Sequence, residues 1–66
     1  MPVNVLKITW NMRYEDAKDS PERLLNLWND FYLSHEEEIN LGFYWYIKFY
    51  KKVMDRYEEV ISKVSA

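Results

Sequence analysis

His35 is followed at once by Glu36, Glu37 and Glu38, the one cluster in this 66-residue chain with side chains suited to metal binding or proton transfer. A zinc-binding helix needs its ligands one turn apart, as in H-E-x-x-H. Here position 39 is Ile and the chain holds a single His. Carboxylates at a helix start are accounted for by the positive end of the helix dipole, so His35 and its neighbours read as a solvated cap. No metal or cofactor is expected. Nucleophilic chemistry has as little to work with: there is no Cys, Ser20 and Ser34 stand where helix caps belong, and Ser62 and Ser65 follow the last long apolar run. With one Gly there is no glycine-rich loop to cradle a phosphate. The chain is expected not to be an enzyme.

The remaining side chains are suited to binding. Lys48, Lys51, Lys52 and Arg56 are interleaved with aromatics, a pattern that fits nucleic acid or an acidic partner. Asp55, Glu58 and Glu59 interrupt it, so a solvated helix face is the plainer reading. Lys7, Thr9, Asn11 and Arg13 alternate with apolar residues and form a polar row. Leu41, Tyr44, Trp45 and Phe49 lie outside the main apolar stripe of their helix and are expected to anchor a partner. Tyr46, Tyr50 and Tyr57 lie within that stripe and read as core residues with their hydroxyls at the rim.

The elements that must position these groups follow from periodicity. Leu6, Ile8, Trp10, Met12 and Tyr14 alternate strictly with Lys7, Thr9, Asn11 and Arg13, which predicts a half-buried strand over about 3–14. Residues 15–20 read as a polar loop. Ser20-Pro21-Glu22 predicts a helix start, and helix 1 is expected over about 21–33. Ser34 and Glu37 fit a capping box, which predicts a second helix over about 35–62. Ile39, Phe43, Tyr46, Tyr50, Val53, Tyr57, Val60 and Val64 form its stripe, widened by Ile47, Met54 and Ile61. Gly42 interrupts this helix, either for close approach of another backbone or to split it after Leu41. The expectation is a single α+β domain, β-α-α and mostly helical, completed by dimerisation.

Two arguments support self-association. A chain this short buries little apolar surface against its conformational entropy and has no disulfide to help. A lone strand also leaves unpaired backbone groups, which a second copy or the edge of another protein's sheet would satisfy. The strand row Lys7, Thr9, Asn11 and Arg13 would lie along that pairing edge.

Strand, helix, helix in a short dimer resembles the order found in ribbon-helix-helix repressors, over residues 6 to 33. The resemblance implies that Lys7, Thr9, Asn11 and Arg13 read bases in the major groove. The long acidic loop, the glutamates at 36 to 38 and the net charge of −2 depart from that pattern. An acidic nucleic-acid mimic built on Glu15, Asp16, Asp19 and Glu36 to Glu38 is countered by nine basic residues. No apolar run approaches the ~20 residues that span a bilayer, and no signal peptide is seen at the start. The preferred expectation is a cytoplasmic, homodimeric protein-interaction module that regulates, inhibits or adapts another protein. The aromatic fraction of 18% suits such a role, since aromatic rings anchor interfaces.

Overall fold

The computed structural model describes residues 3–65 and contains three α-helices: α1 (Val3–Ala17), α2 (Pro21–Asn40) and α3 (Tyr44–Ser65). Among the described residues there is no strand, so the expected β-α-α arrangement is replaced by an up-down-up helical bundle. α2 and α3 form an antiparallel hairpin, with Trp28 beside Tyr57, Phe31 beside Phe49 and His35 beside Tyr46. α1 lies across one side of this hairpin.

The strand expectation fails for a specific reason. The alternating residues 6 to 14 are two helical stripes superimposed. Leu6, Trp10 and Tyr14 recur every fourth position and face the hairpin, with Trp10 only 9% exposed. Ile8 and Met12 belong to the outer face and are 59% and 67% exposed. A strand would have buried all five on one side. With no second strand to pair with, a helix satisfies the backbone from within the segment itself.

α2 starts where the sequence places it. Ser20 adopts extended backbone angles, its Oγ accepts from the Arg23 N–H at 3.3 Å, and Pro21 opens the first turn. It does not end at Leu33, as expected from the capping-box pattern. The backbone leaves helical values at His35 (φ −131°, ψ 29°), yet the helix resumes and runs to Asn40.

The true break is at Gly42. Phe43 N–H donates to the Glu38 carbonyl at 3.0 Å and Gly42 N–H to the Ile39 carbonyl at 3.1 Å, which is a Schellman motif. Gly42 supplies the positive φ of 84° that this motif needs. Of the two roles expected for this glycine, splitting the helix is the one it fills.

The core gathers on Phe31. Its ring meets Trp10 at 5.0 Å, Phe49 at 4.6 Å and Trp45 at 5.9 Å between centroids. Leu24, Leu27, Val53 and Val60 are buried along the hairpin to one side of it, and Ala17 closes the end of α1. Phe43 and Val64, expected in the α3 stripe, are exposed instead. The buried arc of α3 is turned toward Phe49 because α1 packs on that side.

Candidate functional site

Each surface follows from which helix covers which side of the hairpin. Phe49 was expected to anchor a partner, but it is 3% exposed and contacts Trp10, Tyr14 and Phe31. Trp45 is half-buried and stacks on Phe49 at 5.2 Å with an interplanar angle of 24°. Phe49 belongs to the interior of the chain itself, whereas Trp45 packs on that interior and also reaches the surface between α1 and α3. Leu41 and Tyr44 do stand free at the α2–α3 turn, Tyr44 being 75% exposed, and Phe43 joins them there. One intrachain partner helix cannot cover both sides of this segment, and the fold supplies two, α1 and α2.

The polar row of residues 7 to 13 divides on a helix. At about 100° per residue, Lys7 and Asn11 fall on one side of α1, and Thr9 and Arg13 about 160° away. Lys7 Nζ sits 5.7 Å from the centroid of the Trp45 ring, and Lys52 Nζ donates to Asn11 Oδ1 at 3.4 Å. Arg13 turns to α2, where it pairs with Asp30 at 2.8 Å. Thr9 donates its hydroxyl to the Val5 carbonyl one turn back. Lys7, Thr9, Asn11 and Arg13 therefore share no edge, and neither strand pairing nor base reading by a two-stranded ribbon is available to them.

Asn11 of that row and the lysines of α3 do meet at a groove between α1 and α3, of about 580 Å³. Asn11, Trp45, Lys48, Phe49, Lys51, Lys52 and Asp55 line it. Lys48 lies 5.5 Å from the Tyr44 ring centroid and Lys52 4.3 Å from that of Tyr14. Arg56, expected in the same cluster, is committed elsewhere. Its Nε donates to the Lys18 carbonyl at 2.6 Å and its Nη2 to Asp19 at 2.7 Å, which ties the α1–α2 loop to α3.

The opposite side of the hairpin, away from α1, carries a shallow apolar surface lined by Leu25, Trp28, Asn29, Tyr32 and Tyr50. Trp28 meets Tyr50 at 5.7 Å and Tyr57 at 5.9 Å, and Tyr32 meets Tyr50 at 6.1 Å. Ile47, Met54 and Ile61 recur with Tyr50 and Tyr57 at steps of three and four, which places them on the same side of α3. Lys51 and Glu58, both exposed, border this row at the same spacing. From spacing alone these residues belong to one broad buried stripe. The signal that could have separated them is the excess of apolar positions on α3 over what one neighbour can bury.

His35 is not the solvated cap expected. Its side chain is 12% exposed, among Trp10, Phe31 and Tyr46, and its Nδ1 lies 3.3 Å from Glu38 Oε1. The Glu38 carboxyl is held below its ordinary range, first by its own backbone N–H and then by His35. Glu15 pairs with Lys18, which raises the Lys18 ammonium above its ordinary range, and Asp19 pairs with Arg56. Among the described residues no group of three His, Asp or Glu side chains is placed to hold a metal ion. Among the same residues no helix is long and apolar enough to cross a membrane.

The described residues form a small three-helix bundle with a basic groove on one side and an apolar face centred on Trp28 and Tyr50 on the other. No protein-family model, curated protein or solved structure matches the chain.

Proposed function

We propose that this protein works by binding rather than by chemistry, as a homodimeric protein-interaction module. The observation that carries the reading is the apolar face of the α2–α3 hairpin turned away from α1, centred on Trp28 and Tyr50. Helices of 20 and 22 residues are each about 30 Å long. Set about 10 Å apart, they present a projected face of roughly 600 Å² before side-chain relief is counted. That is close to the ~800 Å² per partner of a standard interface. A face with no charge at its centre meets its own copy across a twofold axis without opposing like charges. Regulation, inhibition or adaptation of another protein is the role such a dimer would serve. A cytoplasmic setting suits a chain with no Cys, which has no disulfide to form.

The absence of Cys also makes the test simple. A single Cys introduced by Leu25→Cys or Asn29→Cys is expected to give an oxidised dimer rapidly, whereas Ile8→Cys on the outer face of α1 is not. Equal cross-linking at all three positions, or none at any, would contradict the reading.

A second reading has its own observation. Leu41, Phe43 and Tyr44 stand exposed together at the hairpin turn, an arrangement suited to anchoring a different protein. Under it, Leu41→Ser with Tyr44→Ser abolishes capture of that protein and leaves the mass of the free chain unchanged. Capture that survives the double substitution would remove it.

A further inference from the structure

The basic side chains divide into those with carboxylate partners and those without. Arg13, Lys18, Arg56 and Lys63 each pair with an Asp or Glu. Among the described residues Lys7, Lys48, Lys51 and Lys52 are in no such pair. Lys48, Lys51 and Lys52 line the α1–α3 groove, where Asp55 is the one carboxylate in the lining, and Lys7 lies 5.7 Å from the ring centroid of Trp45, which lines it too. Arg23, also unpaired, lies apart at the start of α2. In a chain of net charge −2 this concentrates positive charge at one place and leaves the rest of the surface more acidic. Such a field draws an anionic partner to the groove and turns it away elsewhere.

The aromatic rings decide which anion fits. Sequence-tolerant binding of single-stranded nucleic acid relies on open ring faces on which bases stack. Here Lys7 lies over Trp45, Lys48 over Tyr44 and Lys52 over Tyr14. The Trp45 ring also stacks on Phe49. At the half-buried Trp45 and Tyr14 the rings hold the ammonium groups in place and are not free to receive bases. That leaves Tyr44, exposed with Lys48 over one face, as a single ring where successive bases need several. Ammonium groups on flexible stems suit carboxylates that arrive in no fixed planar geometry. We propose that the α1–α3 groove docks an acidic, Glu- or Asp-rich segment of a partner protein through Lys7, Lys48, Lys51 and Lys52. The proposal rests on the reading that the protein works by binding. The groove lies on the opposite side of the hairpin from the apolar face, so both surfaces remain usable at once.

The test is fluorescence anisotropy with a labelled peptide of repeated Glu-Glu-Leu. A Gln-Gln-Leu peptide and an oligothymidylate of matched charge serve as rivals. The Glu peptide is expected to bind and the Gln peptide not to, with binding that weakens as salt is raised. The combined variant Lys48→Gln, Lys51→Gln, Lys52→Gln should bind about tenfold more weakly, the loss expected of three exposed ion pairs. If that variant loses its helical signal, Lys51→Glu at an exposed position repeats the comparison. Oligothymidylate binding as tightly as the Glu peptide, or more tightly, would overturn the proposal in favour of a general polyanion or nucleic-acid site. No binding of the Glu peptide, or binding unchanged by the lysine substitutions, would also overturn it. Leu25→Glu, which breaks the proposed dimer face, should bind the peptide as the unmodified chain does. Failure of the dimer and failure of the groove are thereby read separately.

Discussion

The Trp10 indole meets the Phe31 ring edge-on, with centroids 5.0 Å apart and planes at 86°. This contact fixes α1 to the hairpin and closes the side on which Phe49 and Trp45 lie. Edge-to-face pairs of this kind add about 1 kcal/mol to what the buried area alone provides.

Trp10→Ala should therefore cost about 3 kcal/mol or more in stability, the usual loss for a large buried aromatic. Urea unfolding followed by circular dichroism measures it. A loss well under 1 kcal/mol would mean that α1 does not contribute to the core.

Arg56 holds the α1–α2 loop through the Lys18 carbonyl and Asp19 at once. Lys cannot reproduce that fork. Arg56→Lys is expected to lower stability by about 1 kcal/mol, mainly through the half-buried bond to the carbonyl, since Asp19 is largely exposed. Hydrogen exchange should quicken at the Ser20 N–H, which donates to the Ala17 carbonyl in the same loop. Unchanged exchange there would show that the loop holds without Arg56.

Gly42→Ala tests the turn. An added Cβ would find Ile47 Cδ1 at 3.9 Å, an ordinary contact, so any cost comes from the backbone at φ 84°. That cost is about 1 kcal/mol, and Gly42→Asn should lose less because Asn tolerates the left-handed region. Equal stability of the Gly and Ala forms in thermal unfolding would contradict the Schellman geometry.

The Glu38 carboxyl gives a pH dependence with a definite sign. A carboxyl whose pKa is lowered on folding contributes stability in full above its unfolded value, here near 4.5, and loses it as pH falls through the lower folded value. The unmodified chain should lose stability below that point more steeply than Glu38→Gln. Denaturant titrations from neutral pH into the acid range measure the difference. Parallel curves would show that Glu38 makes no contribution.

How much of this was legible depended on how local the cause is. Ser20 and Pro21 mark the start of α2 because a cap is made by neighbours in sequence, and the pattern there stands as read. The amphipathic character of α3 was equally plain. The register of α1 was not, because inward Leu6, Trp10 and Tyr14 and outward Ile8 and Met12 together imitate a strand. That one misreading carried others with it. With α1 taken as a strand, Phe49 and Trp45 lacked an intrachain neighbour and looked like surface anchors. Ser34 to Glu37 resembles a cap, yet His35 is drawn in among Trp10, Phe31 and Tyr46, a tertiary effect that no local pattern contains. The lysine groove was half visible: Lys48, Lys51 and Lys52 stood out, but Lys7 and Asn11 join them only because α1 is a helix.

Sedimentation equilibrium over a wide concentration range, on the unmodified chain and on Leu25→Glu, tests the central claim most directly. A chain that pairs through the Trp28–Tyr50 face should show twice the 8.2 kDa monomer mass at high concentration, and Leu25→Glu should remain at the monomer mass with its helical signal intact. The unmodified chain at monomer mass throughout, or Leu25→Glu dimerising as readily, would contradict the account.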